Sequence, residues 1–216
     1  AAVALLASLS AERVAQELTR LLALADPLAA LRMMQEDGIL AAVLPEADRL
    51  DRLGRLIAIE PQPDALRRLA ALVSVDRAGA EALALRLRFS NAWRDRLAGL
   101  VPPWEIDPAA DDAAQRRALY RLGRERYRDR TLLRAAEAGV APARLAELLD
   151  FAERAALPVF PLAGRDVTAL GIAPGARVGR LLAALRDWWE DGDFAADRAQ
   201  CLARLRDISG AAGAGE

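Results

Sequence analysis

Short capping signals alternate with apolar residues at helical spacing along almost the whole chain, and this pattern limits the fold more than any other feature. Ser10 and Asp26-Pro27 are typical of helix starts, and Gly38 is typical of a helix end. The apolar residues between these signals recur three or four positions apart, as on one face of a helix. No convincing run alternates apolar and polar residues, as a half-buried strand would. We therefore predict an all-α protein without a sheet, an elongated array of short antiparallel helices.

The residue types that are missing exclude much chemistry. The chain has no histidine, which removes Ser-His-Asp and Cys-His catalysis and most zinc sites. Its single cysteine, Cys201, cannot form a disulfide within the chain, which fits a reducing compartment, and its apolar neighbours favour a buried structural thiol. No apolar run is long enough to cross a bilayer. We therefore predict a cytoplasmic protein that lacks these catalytic and zinc centres and does not contact a membrane.

Arginine is concentrated in one long helical pattern, Asp111–Ala138. The formal net charge is −1, so a nucleic-acid surface has to come from local clustering of charge. Spacings of 4, 3 and 4 put four arginines on one face of a continuous helix: Arg117, Arg121, Arg124 and Arg128. Tyr120 and Tyr127 lie beside them, and arginine with aromatic rings suits contact with phosphates and bases. The alternatives are a solvated face whose arginine stems cover apolar surface and a break near Gly123.

A second cluster of polar residues lies in Gly164–Leu185. Pro174 and Gly175 stand where a helix should begin, and the free N–H groups and positive dipole of a helix start suit an anion such as phosphate. Arg177 and Arg180 follow one turn apart and add charge. Arg165 and Asp166 come just before and pair with each other or with the turn. The alternative is a corner that only holds two helices together, with Asp166 as a cap.

The acidic run after Trp188 and Trp189 has the spacing of a carboxylate pair for a metal. Asp191 and Asp193, however, fall at the end of one predicted helix and the cap of the next, without a strand to hold them side by side. A calcium loop would need more oxygen ligands and a glutamate farther along. We therefore predict a turn here, with Asp193 as the cap of the last helix.

Two stretches resemble the family of tRNA nucleotidyltransferases and poly(A) polymerases, which includes the bacterial CCA-adding enzymes. Residues 162–182 resemble the C-terminal signature of that family. The matching pieces are Leu-Ala-Gly-Arg-Asp-Val at 162–167, Leu-Gly-Ile at 170–172, Pro-Gly at 174–175, Val-Gly at 178–179 and Leu182. Val167 and Ala163 depart from it mildly. Residues 9–18 and 26–32 resemble the neck segment, termed the RNA-binding domain.

The resemblance implies a division of the chain. Residues 1–44 would be the neck or RNA-binding domain, truncated at its N-terminus, and residues 45–139 the helical body. Residues 140–209 would be the tail with the Gly-Arg-Asp…Pro-Gly motif, followed by a disordered segment, 210–216. Because the chain starts at Ala1 in the middle of a helical pattern, we expect a C-terminal fragment whose first nine residues end a longer helix.

The resemblance also implies partners and cofactors. CCA-adding enzymes extend tRNA with CTP, ATP and magnesium on a catalytic head, and no stretch here matches that head. We therefore expect no cofactor in this chain, inactivity of the chain alone, and tRNA and the head as its partners. The implied RNA-binding residues are the four arginines of the long helix together with Arg165, Asp166, Gly175, Arg177 and Arg180.

Other functions remain compatible with the sequence. The parent could be a poly(A) polymerase. The Gly-Ile-Ala-Pro-Gly turn at 171–175 also resembles a helix-hairpin-helix motif, which would bind duplex DNA. A helical scaffold for protein partners would use Trp104, Trp188 and Trp189 as its interface.

Overall fold

The computed structural model describes residues 10–211, and that part of the chain is helical without a strand. Its one extended pairing is an isolated antiparallel bridge between Ala47 and Val73. The all-α prediction is therefore confirmed.

Twelve helices make up the regular structure of the described residues. In chain order they are α1 (Ala11–Leu22), α2 (Leu28–Glu36), α3 (Ile39–Val43), α4 (Leu50–Ile59), α5 (Ala65–Leu72), α6 (Arg77–Arg86), α7 (Asn91–Leu100), α8 (Asp112–Ala138), α9 (Pro142–Arg154), α10 (Gly164–Thr168), α11 (Ala176–Asp191) and α12 (Arg198–Ala211).

Most helix ends lie where local chemistry places them. The Ser10 hydroxyl accepts a hydrogen bond from the Arg13 N–H at 3.3 Å, and Ser90 caps α7 through the N–H of Trp93 at the same distance. Gly38 ends α2 with φ 71°, a left-handed backbone that glycine adopts without strain.

The predicted cap at Asp193 is wrong. The last helix begins five residues later, at Arg198, where the Asp197 carboxylate accepts a hydrogen bond from the Gln200 N–H at 2.8 Å. Asp193 instead has φ 51° and pairs with Arg116. The predicted turn is confirmed, and no group of residues that could hold a metal ion occurs in 10–211.

The described residues form two compact units. The first unit comprises residues 10–110 and 122–155, and the second comprises residues 111–121 and 156–211. The predicted division at residues 44, 139 and 209 follows the family resemblance and stays a prediction. Residues 1–9, predicted to end a helix, lie outside the described residues, as do 212–216. Gly210 and Ala211, predicted to be disordered, belong to α12.

The first unit has a leucine-rich core with charged groups inside it. Leu22, Leu53 and Leu69 are fully buried there. Glu60 and Asp129 are buried beside them, and Arg67 donates to both, at 2.7 Å to each carboxylate. A buried charge is costly unless it is paired and hydrogen-bonded, so these groups depend on one another.

The second unit has a smaller core. Leu185, Leu205 and Cys201 are fully buried in it, and Trp189 is nearly so. Burial raises the pKa of the Cys201 thiol, and its neighbour Asp197 adds to that shift. The prediction of a buried structural cysteine is therefore confirmed.

Candidate nucleic-acid interface

Gly123 divides α8, and with it the predicted arginine stripe. The backbone of Gly123 is not helical, with φ 74° and ψ 165°, so the helix on one side does not continue the other. Arg117 and Arg121 precede the break and lie in the second unit. Arg124 and Arg128 follow it and lie in the first. The break near Gly123 is confirmed, and a single continuous stripe of four arginines is wrong.

The arginines before the break lie near acids of the second unit. The Nε atom of Arg121 donates to the buried carboxylate of Glu190, and this hydrogen bond raises the pKa of Arg121. Arg116 donates two hydrogen bonds to Asp193, at 2.9 and 2.5 Å, which lower the pKa of that carboxyl. Arg117 is half-buried, and within 10–211 it has no ion pair.

The arginines after the break contact the end of α9. Both terminal nitrogens of Arg124 donate to backbone carbonyls there, including that of Glu153 at 2.8 Å and that of Ala155 at 2.7 Å. The Arg128 guanidinium lies 3.6 Å from the Glu153 carboxylate. Arg124 therefore stabilises a helix end, because it supplies donors to carbonyls that have no partner within the helix.

The same contact recurs throughout the described residues. Seven helices have carbonyls in the last turn that accept hydrogen bonds from a guanidinium elsewhere in the chain. The pairs are Arg68 with α1, Arg86 with α3, Arg52 with α5, Arg130 with α7, Arg55 with α8, Arg124 with α9 and Arg177 with α12. Five N–H donors in a planar fork make arginine suited to several carbonyls at once. Much of the arginine content therefore has a structural cause.

The two tyrosines of α8 pack against the cores to different depths. Tyr127 is fully buried and its ring packs against Phe151, with centroids 6.2 Å apart. Burial raises its pKa to about 12. Tyr120 packs against Phe194 at 5.1 Å. Base stacking by Tyr127 is therefore wrong, because its ring fills the core, and stacking by Tyr120, whose ring is half-buried against the core of the second unit, stays a prediction.

Asp166 is a structural cap at the start of α10. Its Oδ2 atom accepts a hydrogen bond from the Ala163 N–H at 2.7 Å, and its Oδ1 atom accepts one from Arg198 at 2.5 Å. The Arg198 contact first, and then the Ala163 N–H, hold the pKa of the Asp166 carboxyl below its usual value. No local pattern around Asp166 indicated Arg198, which is 32 positions away.

The beginning of α11 remains open to solvent. Gly175 precedes it with φ 152° and ψ −167°, a conformation confined almost entirely to glycine, and no side chain caps the helix. Arg180 is exposed and forms no ion pair within residues 10–211. Arg177 makes one weak contact, to the Ser209 carbonyl at 3.4 Å.

Arg165 lies close to this helix start. It is exposed in α10, and the first residue of that helix, Gly164, approaches α11 closely. A Cβ atom at Gly164 would lie 3.7 Å from the Val178 side chain. Val167 and Val178 pack in the core of the second unit and hold α10 against α11. The helix that carries Arg165 therefore packs against the helix that begins after Gly175. We call four of the predicted residues on these two helices the α11 corner: Arg165, Gly175, Arg177 and Arg180.

The alternative of a tryptophan interface does not fit Trp189, which is buried. Trp104 is half-buried, and its indole N–H donates to the Leu100 carbonyl at 2.6 Å. Trp188 is also half-buried, at the C-terminal end of α11.

No helix among the described residues is both long and apolar enough to span a membrane.

Comparison with known proteins points to RNA. Residues 1–50 match a family model described as "Probable RNA and SrmB- binding site of polymerase A". A stretch of 59 residues is 34% identical to CCA tRNA nucleotidyltransferase 1, mitochondrial, from Danio rerio, and it covers 27% of this chain and 14% of that protein. These likenesses support an RNA-binding region related to the polymerase A and nucleotidyltransferase proteins.

Proposed function

We propose that this chain is the tRNA-binding helical region of a CCA-adding nucleotidyltransferase, and that it positions the acceptor end of tRNA for a catalytic head. The match of residues 1–50 to an RNA-binding family model is the observation that carries the proposal. The zebrafish relative, named for CCA addition to tRNA, supports the choice of RNA. Magnesium, ATP and CTP belong to the head in this proposal, and the chain alone adds no nucleotide.

The α11 corner is the proposed phosphate site. Arginines lie near the N-terminus of α11 and acids lie near its C-terminus, with no acid in the first turn and no base in the last. This arrangement opposes the helix dipole, which favours acids at the start and bases at the end. A phosphate beside Gly175, Arg177 and Arg180 would relieve that repulsion and accept hydrogen bonds from the free N–H groups of the helix.

The arginines of α8 have a smaller part in this proposal. Arg117, which lacks an ion pair among the described residues, can reach a phosphate without breaking one. Arg121 and Arg128 would exchange a carboxylate for a phosphate, and Arg124 would have to leave the carbonyls of α9. RNA contact by these four residues therefore stays a prediction that depends mainly on Arg117.

Recognition would depend on shape and backbone. The deep groove of A-form RNA hides the base edges from side chains, and contacts with phosphates carry no direct sequence information. Rigid placement of arginines along a helix would therefore let one protein bind many tRNAs.

The salt dependence of tRNA binding tests the phosphate site. The double variant Arg165→Ala/Arg180→Ala should lower the slope of log affinity against log salt by about 1.4 to 1.8, which corresponds to two phosphate contacts. The matched control is Arg77→Ala/Arg154→Ala, two exposed arginines of the first unit, which should leave the slope unchanged. Equal effects of the two double variants would refute the assignment to the α11 corner.

Competition separates the alternatives. A helix-hairpin-helix module would bind duplex DNA as tightly as tRNA. A protein scaffold would show no shift in melting temperature with either nucleic acid. A poly(A) polymerase region would prefer unstructured RNA to tRNA, whereas we expect preference for tRNA that lacks its terminal CCA.

A further inference from the structure

A cleft of about 670 Å³ lies at the C-terminal end of α11, between that end and α12. Gly192, Ala195 and Ala203 contribute only small side chains to its wall, which leaves room for a flat group. Three longer side chains of α12 also line it, spaced four and three positions apart and thus on one helical face: Gln200, Arg204 and Asp207.

Trp188 supplies an aromatic surface in this cleft. Its ring packs partly on the core of the second unit and partly lines the cleft. Its indole N–H has no hydrogen-bond partner among the described residues. The Arg204 guanidinium lies 6.0 Å from the ring centroid, at the outer limit of a cation–π contact. Arg204 is exposed and lies over the ring only at that distance, so a flat group that stacks on Trp188 would push it outward, onto the other face of that group.

The charges of the cleft favour a base over a phosphate. Asp191 and Asp207 line it together with Arg204, so the carboxylates outnumber the guanidinium. They would repel a phosphate that entered, but they can accept hydrogen bonds from the amino groups of adenine, cytosine or guanine. Stacking on an aromatic ring is the usual way in which proteins hold unpaired bases.

We propose that this cleft binds an unpaired nucleobase, stacked on Trp188 and covered by Arg204. The proposal rests on the function proposed above, because the base would belong to the RNA whose phosphates contact the α11 corner. Trp188 follows Arg177 by eleven residues, which is about 16 Å along the helix. A stacked strand would cover that distance with roughly five nucleotides.

Fluorescence of 2-aminopurine tests the stacking directly. The probe is a ten-nucleotide single-stranded RNA with 2-aminopurine in place of one adenine, because stacking on an indole quenches this base. The wild-type chain should quench it, and both Trp188→Phe and Trp188→Ala, which lack the indole, should lose most of that quenching. Trp93→Ala, which removes an exposed tryptophan of the first unit, is the matched control and should quench like wild type.

Affinity provides a second measurement. Trp188→Ala should weaken binding of the single-stranded RNA about 5- to 150-fold, the range for one lost stacked base, and should leave a blunt, fully paired RNA unaffected. Trp188→Phe and Arg204→Ala serve as further variants if Trp188→Ala unfolds, and each should weaken only the unpaired RNA.

The proposal is overturned if Trp188→Ala still quenches, or if paired and unpaired RNA lose affinity equally. It is also overturned if a short arginine-rich peptide occupies the cleft and RNA does not displace it. The function itself is judged separately, from binding of paired RNA by Arg165→Ala/Arg180→Ala. If that variant weakens binding and Trp188→Ala changes nothing, only the base site fails.

Discussion

The two units differ in whether they bury arginine. In the first unit Arg52, Arg67 and Arg68 are at most 3% exposed. They donate to backbone carbonyls and to the buried carboxylates of Glu60 and Asp129. In the second unit no arginine within the described residues is buried. Buried arginines thus support the first unit from inside, whereas the described arginines of the second unit keep contact with solvent even where they pair with an acid, as Arg121 does with Glu190.

This difference shows that arginine density is a poor guide to a ligand site. A guanidinium already bonded to helix ends would leave unsatisfied carbonyls behind if it moved to a phosphate, and that would offset the new contact. The exposed Arg165 and Arg180 can bind without such a loss. Function should therefore be affected most in the second unit and stability most in the first.

The largest expected effect is on the buried carboxylate of Asp129. It accepts hydrogen bonds from Arg67 at 2.7 Å and from Arg96 at 2.8 Å. Asp129→Asn leaves the buried guanidinium groups of Arg67 and Arg68 with a single buried carboxylate, that of Glu60, so one buried positive charge lacks compensation. We expect a loss of about 3–5 kcal/mol in the free energy of unfolding. Urea denaturation measures it. Asp150→Asn, at an exposed pair with Arg154, should change little, and a similar loss at both sites would contradict the comparison.

The second prediction concerns the fork of Arg68. It donates to Glu60 and to the Leu22 carbonyl, the latter at 2.7 Å. In Arg68→Lys the ammonium group keeps the charge but cannot bond to the Glu60 carboxylate and the Leu22 carbonyl at once. The free energy of unfolding should therefore fall by about 1–3 kcal/mol. Arg154→Lys, at an exposed arginine, should stay within about 0.5 kcal/mol of wild type. If lysine is tolerated equally at both positions, arginine has no special role at these helix ends.

The third prediction tests the break in α8 through the sign of a small change in stability. Because Gly123 has φ 74°, Gly123→Ala should destabilise the protein by about 1 kcal/mol, although no other atom lies within 4 Å of the added Cβ. In a straight helix the same change would stabilise by a similar amount. Gly179→Ala, at an open position within α11, should stabilise. If Gly123→Ala and Gly179→Ala both stabilise the protein, α8 is continuous at Gly123 and its four arginines again lie on one face.

The smallest effect concerns acid stability of the second unit. Arg198 and the Ala163 N–H lower the pKa of Asp166, so its contribution is complete above the unfolded pKa of about 4 and is lost as the pH falls below it. Asp166→Asn should lower stability at pH 6 and flatten the pH dependence between pH 3 and 5. Denaturant titrations at several pH values measure this. Asp207→Asn, at an exposed carboxylate without an ion pair in the described part, should retain the wild-type slope.

Fold class and most helix ends could be predicted from the sequence, because these features depend on neighbouring residues. Ser10, Asp64 and Ser90 each bond to an N–H three residues ahead, and a reader of the sequence sees both groups together. Asp193 shows the limit of this reasoning. It has a good capping side chain, but Arg116, 77 positions away, holds it in an ion pair instead.

The sequence by itself determined that the described chain is helical and where most of its helices begin and end. It also determined that Gly123 and Gly175 interrupt regular structure. These features were accessible because periodicity and capping act over a few residues. Only the tertiary structure decided which arginines are supports and which face solvent. Arg121 and Arg124 are three positions apart, yet one pairs with Glu190 and the other with carbonyls near Ala155. Their partners are separated by long stretches of chain, and packing alone brings them together.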